Sequence, residues 1–351
     1  MKVKSVSQFV LLLLFVASIT VNAQPKNPIP VMLLTGEQTI YHAWKTTNPA
    51  LEEILNVPEV FKVDVVTTPE NGDLSTFMPK FSDYKVIVLN YDAPKDRWPD
   101  ALKKSFEEYI ANGGGLVVIH AADNAFAGWP EFNKMIGIGG WRNRTQADGP
   151  YWYYKDGKLV SDNSPGPAGS HGQRTPFLMK VANADHPITK GLPSSWMHQG
   201  DELYAKLRGP GENMNVLVTA YSDPENRGTG FDEPQLIAIP YGKGRVFHYT
   251  PGHDVVALSS TDCVVLLQRG TEWAATGKVT QKIPADFPTA NSVSYRINVA
   301  SKDPAYKNGL NGLTPPRAGG AGGPRGGNGA GVVPPAVPAP APSTAPVAPT
   351  K

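Results

Sequence analysis

The chain has 351 residues, a single cysteine and a formal net charge of +2. That length allows one large domain or two small ones. The near-neutral balance offers no field for a polyanion, so a nucleic-acid partner is not expected. Cys263 alone excludes an intrachain disulfide framework and any CxxC metal or redox site.

The ends read differently from the middle. Lys2 and Lys4 precede a nearly unbroken apolar run over 9–19, and Val21-Asn22-Ala23 offers small residues at signal-peptidase spacing. The run is about half the roughly twenty residues that a membrane-spanning helix needs. Residues 1–23 are therefore expected to be a cleaved secretory leader, with a periplasmic or secreted product and no stable membrane insertion. Gln24 follows the cleavage point, so no lipid-anchor cysteine is available. From 318 to 351 the chain is Gly/Ala-rich and then Pro/Ala/Val-rich, which reads as a disordered tail. Between these ends, 27–283 is expected to form one α/β domain, and 284–317 an extension of open structure.

Within the domain, 30–35 reads as a first buried strand. It leads into Gly36 and then His42 and Trp44. Asn48-Pro49 resembles a helix start, a capping side chain followed by proline at the first helical position. Strands follow at 61–67 and 86–89, the second ending in Asn90-Tyr91-Asp92. Trp98-Pro99-Asp100 opens a helix that Asn112-Gly113 stops. The short apolar run 116–119 is a central strand buried on both faces. His120-Ala121-Ala122-Asp123 stands at its carboxyl end, where open α/β sheets bind ligands. This order predicts a doubly wound, mostly parallel sheet flanked by helices.

The middle of the chain changes character. Trp129-Pro130 starts a short helix. Tyr151-Trp152-Tyr153-Tyr154, with Asp156-Gly157 as the turn, reads as an inserted hairpin whose aromatics, with Trp141, could stack on a sugar ring. A Gly/Pro/Ser loop carries His171. A strand is expected at 177–181, then the two-proline loop 185–193. The stretch 196–204 is expected to be irregular, with His198 in a loop and Asp201 and Glu202 side by side before Tyr204. A strand at 216–220 and a hairpin over 236–250 run into Gly252-His253. A last helix follows Ser259-Ser260, with Cys263 in its core face.

Seven histidines are present. His42, His120 and His253 each follow a predicted strand, and in such a sheet these ends share one edge. His171 and His198 could cover the same edge. His248 alternates inside a strand and His186 precedes a proline, so both are expected to be structural. Near neutral pH an imidazole is a base, an acid or a metal ligand. There is no HExxH or HxxxH, so spacing cannot pair metal ligands. GxSxG, GxGxxG and GxxxxGK[ST] signatures are also missing.

Taken in order, several pieces resemble the trehalose-utilisation (ThuA-like) family. They are Leu34-Thr35-Gly36 with His42, Gly113-Gly114-Gly115 running through His120-Ala121-Ala122, Asp185-His186-Pro187-Ile188 with Gly191-Leu192-Pro193, and Asp201-Glu202-Leu203-Tyr204. Gly242-Lys243-Gly244-Arg245 with Gly252-His253 and Glu272-Trp273-Ala274-Ala275 complete the set. The resemblance implies a class I glutamine amidotransferase-like, flavodoxin-like fold. His120 stands where those enzymes carry their cysteine, so amidotransfer by a cysteine nucleophile is not expected. It also implies a small-molecule carbohydrate substrate, in particular a glycoside oxidised to a 3-keto sugar. On that reading His120, His253, Asp201 and Glu202 carry acid–base chemistry of an elimination or hydrolysis type. His42, Trp44, Asp123, His171 and Tyr204 bind substrate. The cofactor stays open; a divalent metal such as zinc is the candidate, with His42, His120, His171 and His253 as possible ligands. The alternatives are a non-catalytic carbohydrate-binding module and a metal-dependent hydrolase.

Overall fold

The structure, a computed structural model, describes residues 27–306. The expected leader at 1–23 and tail at 318–351 lie outside the described residues. The scaffold is one mixed sheet. Strands β1 (Ile29–Thr35), β2 (Phe61–Thr67), β3 (Val86–Leu89) and β4 (Gly115–Ile119) pair in parallel, in the order β2-β1-β3-β4. Across the inserted region come β5 (Tyr151–Lys155), β6 (Lys158–Asp162), β7 (Thr175–Val181), β8 (Ser195–Asp201), β9 (Asn215–Tyr221), β10 (Asp232–Tyr241) and β11 (Gly244–Tyr249). Strand β11 joins β4 in parallel, and the sheet then continues antiparallel through β10, β9, β7 and β8. The β5–β6 hairpin hangs from β10.

Side chains alternate across the parallel half, as strand geometry requires. Val31, Leu33, Val86, Val88, Val117 and Ile119 face helices α1 (Trp44–Ile54) and α5 (Thr261–Thr276). Met32, Leu34, Ile87, Leu89, Leu116 and Val118 face α2 (Asp100–Ala111) and α3 (Pro130–Ile136). Both faces are therefore covered, which explains why these strands are uniformly apolar. Two short helices complete the domain, α4 (Val255–Leu258) and α6 (Ile297–Ala300). The segment 284–306 packs on it, with Phe287 against Trp196 and Arg296 bonded to the Ser259 carbonyl.

Two expectations are corrected. Helix α1 begins at Trp44, a turn before Asn48, and Pro49 lies inside it. The bond that Pro49 cannot donate would have gone to Lys45. Both residues are exposed, so water can replace it, while Asn48 is buried and accepts from Asn90. The second correction is His198. It lies in strand β8, fully buried, and not in a covering loop. Its Nδ1 is 2.8 Å from Asp262 and its Nε2 3.1 Å from Asp201. Burial opposes its charge, but the two carboxylates outweigh that and raise its pKa to about 10.

The Asp185–Pro193 loop is clamped by Arg269, which donates to the carbonyls of Pro187, Ile188 and Lys190. His186 packs on Trp273 there, and burial lowers its pKa to about 4.

The two histidines give opposite pH signatures. His198 is raised from 6.5, so its stabilisation is complete below about pH 6.5 and is lost as the pH rises through about 10. His186 is lowered from 6.5, so its stabilisation is present above that value and is lost as the pH falls through about 4. Urea midpoints across this range should fall at both ends, and His186→Gln should flatten the acid limb. His198→Leu leaves two buried carboxylates without their counter-ion and should cost about 3–5 kcal/mol near neutrality.

Candidate functional site

The register brings four strand ends to one edge. Leu34 pairs with Leu89, Leu89 with Val118, and Ile119 with Tyr249. The next residues of each strand therefore emerge together. After β1, Gly36 takes a φ of +126°, and a Cβ there would meet Thr68 at 2.2 Å; only glycine permits the turn. The loop then delivers His42. Asp92 follows β3. His120 follows β4 directly, in a left-handed conformation with a φ of +45°, an uncommon state for a residue with a side chain. His253 follows β11 through Gly252, whose φ is +111°. Glu202 arrives from β8 at the far antiparallel edge.

His42, His120, His253 and Glu202 each offer one ligand atom, and the four lie within 4.8 Å of one another. The imidazoles form a near-equilateral triangle, with ring centroids 5.0, 5.0 and 5.4 Å apart. Glu202 Oε2 lies 3.1 Å from His253 Nδ1, 3.7 Å from His120 Nε2 and 4.0 Å from His42 Nε2.

The outer hydrogen bonds orient two of these rings. A carboxylate and a carbonyl only accept, so His42 Nδ1 donates to Asp92 at 2.8 Å and His120 Nδ1 to the Thr250 carbonyl at 2.7 Å. In each ring Nε2 is left turned toward Glu202. A histidine that ligates a metal characteristically gives its other N–H to a carboxylate or carbonyl in this way. His120 Nε2 and His253 Nδ1 are buried and face no polar partner but the Glu202 carboxylate. Three imidazoles and one carboxylate are a donor set suited to a divalent ion such as zinc, and the residues present fit one.

The charges agree with a tightly coupled centre. Burial would raise Glu202, yet His120 and His253 hold it well below the usual carboxylate range. Burial also opposes a charge on His120, but Glu202 and Asp201 raise it above its ordinary value. In His42 burial prevails over Asp92, and its pKa falls. Burial works against the charge on Asp92, while His42, Thr39 and Arg142 keep it ionised.

Above the cluster opens a cleft of about 470 Å³, lined by Thr39, Tyr41, His42, Asp92, Asn124, Trp141, Arg142, His171, Glu202 and Tyr204. His171 stands in its wall with Nε2 3.7 Å from Glu202 Oε1, while its Nδ1 donates to the Gly172 carbonyl. It lies outside the four-donor set. Buried Tyr204 packs against His120 at 4.1 Å, and its hydroxyl is 3.4 Å from His42 Nε2. Trp44 lines a small inner cavity behind the histidines, about 20 Å³ in volume.

Two residues expected at the site face elsewhere. Asp201 is buried beneath it, accepting from the N–H groups of Glu202, Gly252 and His253 and facing His198. Asp123 is turned inward to His248. The aromatic hairpin is not part of the cleft lining: Tyr151 bonds Glu233, and Tyr153 stacks on Phe231. Trp141, Arg142, Thr39 and Asp92 occupy the cleft instead. Of these, Asp92 carried a signal in its place after a strand of the same edge, and Trp141 in its aromatic character, while Thr39 and Arg142 carried none. Cys263 is buried on α5, where burial pushes its thiol up, so it is no nucleophile.

A family model for ThuA, trehalose utilisation, matches residues 30–274. The chain belongs to the ThuA family. A crystal structure of a ThuA-like protein from Parabacteroides merdae is similar at 47% identity, with a TM-score of 0.74, covering 78% of this chain and 99% of that one. A ThuA-like protein from Bacteroides uniformis matches at 22% identity and a TM-score of 0.47, covering 73% of this chain and 94% of that one. Among curated proteins none matches. The ThuA membership places the chain in a family of carbohydrate utilisation with an α/β, amidotransferase-like fold. No described helix is long and apolar enough to cross a membrane.

Calorimetric titration with zinc should show one equivalent bound per chain. Asp92→Asn, which weakens the orientation of His42, should lower the affinity about 10–100-fold, and His186→Gln should leave it unchanged. A folded protein that takes up no zinc would contradict the donor-set reading.

Proposed function

We propose that this ThuA protein acts on glycosides oxidised to a ketone at C3, by acid–base chemistry in the cleft above Glu202 and its three histidines. The observation that carries this reading is the convergence of the four donor atoms within 4.8 Å at the base of an open cleft. A ketone at C3 acidifies the hydrogen on C2. Removal of that proton leaves an electron pair that forms the C1–C2 double bond as the C1–O bond breaks, and the departing oxygen takes up a proton. The products are an unsaturated 3-keto sugar and a free alcohol, and addition of water would complete a hydrolysis. No oxidant or reductant is needed.

A divalent cation in the four-donor set would supply an electrophile for the ketone or enolate oxygen. The chain's own groups do the rest. His171 has its Nδ1–H tied to the Gly172 carbonyl, so its Nε2 carries the free lone pair and faces the cleft. It takes the C2 proton and returns one to the leaving oxygen. The Tyr204 phenol is kept protonated, because burial and the nearby carboxylates Asp123, Glu202 and Asp92 push its pKa up, and it acts as a neutral donor beside His42. Asp201 acts by positioning, through the backbone of Glu202 and His253.

A mass-spectrometric screen of 3-keto glucosides and their unoxidised parents tests the proposal. Product is expected from the oxidised set alone, and His171→Ala and Glu202→Gln should each lower turnover about 10²–10⁴-fold. A folded, metal-loaded protein that yields no product from either set would sink it and favour a carbohydrate-binding module.

A further inference from the structure

The outer half of the cleft has a different chemistry from its base. Ile40 and Tyr41, adjacent in sequence, are 80% and 72% exposed, the most exposed large apolar side chains described. They do not belong to a slack loop. Thr39 Oγ donates to Asp92 at 2.7 Å and accepts from the N–H groups of Tyr41 and His42. The carboxylate that orients His42 therefore also fixes the loop that presents Ile40 and Tyr41 to solvent.

Trp141 and Arg142, which also line the cleft, form with Asn143 three consecutive residues in the left-handed region, with φ of 51, 49 and 63°. Residues with side chains persist in that region only where the surroundings hold them. Here fully buried Arg144 does so, donating to the carbonyls of Asn124, Ala125 and Gly140 and to the Asn133 side chain. The strain sets Trp141 against Tyr204 at 4.6 Å and places both Trp141 and Arg142 in the cleft wall.

Arg142 gives the cleft no net positive charge, because Asp92 already pairs with it. A guanidinium that is neutralised in this way still offers a flat face for stacking. The phenol of Tyr41, the indole of Trp141 and the guanidinium of Arg142 thus all line the cleft. These surfaces offer flat faces on which an aromatic group can stack.

We propose that the outer cleft is an aglycone subsite that stacks on an aromatic group, so that aryl glycosides are bound in preference to alkyl glycosides and disaccharides. This rests on the functional reading above. In that reaction the departing group would be a phenol.

The test compares C3-oxidised phenyl glucoside with C3-oxidised methyl glucoside and C3-oxidised trehalose. The expected result is a KM at least tenfold lower for the phenyl compound. Tyr41→Ala should reduce this advantage about tenfold. Easier departure of a phenol would raise kcat alone and would not depend on Tyr41, so the KM difference and its response to Tyr41 are the deciding readouts. Equal KM values, or an advantage that Tyr41→Ala leaves intact, would overturn the proposal. Saturation-transfer NMR with unoxidised phenyl and methyl glucosides separates the two claims. If nothing is turned over but the phenyl protons receive saturation that Tyr41→Ala abolishes, the reaction fails and the subsite stands. No transfer to the phenyl ring overturns the subsite. So does concentration-dependent dimerisation that Tyr41→Ala abolishes, which would assign the exposed pair to contact between copies.

Discussion

The site depends on one buried carboxylate. Asp201 accepts from three backbone N–H groups, those of Glu202, Gly252 and His253, and faces the His198 imidazole. Glu202 comes from the antiparallel edge of the sheet and His253 from its parallel half. Asp201 ties the two segments together, so the carboxylate of one meets the imidazole of the other at 3.1 Å. Buried this deeply, Asp201 would otherwise be too costly to ionise. His198 offsets that cost, and Asp262 in turn stabilises the His198 charge. The polar chain runs through what would otherwise be apolar core beneath the reacting groups.

Two layers of support thus converge on one cluster. From below, Asp201 sets backbone. From the side, Asp92 and the Thr250 carbonyl set ring orientation. Asp92 also anchors Thr39 and pairs with Arg142, which couples the base of the cleft to its mouth. The left-handed His120 fits this picture. In a turn tight enough to require that conformation, the side chain is thrust from the sheet edge toward the other strand ends, and the strain is held by packing on both faces of β4.

Much of this was legible in the sequence, for identifiable reasons. The inner parallel strands β1, β3 and β4 are short apolar runs because both faces are covered, and their ends share one edge as a matter of topology. His42, His120 and His253 could therefore be grouped although they stand far apart in the chain. Strand β8 was hidden because its inward positions are Trp196 and His198, and the buried histidine is made tolerable by Asp262, 64 residues away. The same distance problem concealed the role of Asp201, which looked like a second reacting carboxylate beside Glu202. Asn48-Pro49 misled because a local capping pattern was overridden by packing: Asn48 serves Asn90, and the helix continues through the proline on its exposed side. Of the aromatics that advertised a sugar platform, Tyr151 and Tyr153 are turned by tertiary contacts to Glu233 and Phe231, and Trp141, on a strained loop, is the one that stands in the cleft.

The most direct test of the central claim, that His42, His120, His253 and Glu202 form one divalent-cation centre, is anomalous diffraction at the zinc edge from zinc-soaked crystals. The expected map holds one strong peak bonded by His42 Nε2, His120 Nε2, His253 Nδ1 and a Glu202 oxygen at about 2.0–2.2 Å. A well-ordered cluster with no peak, or a peak held elsewhere in the chain, would contradict it.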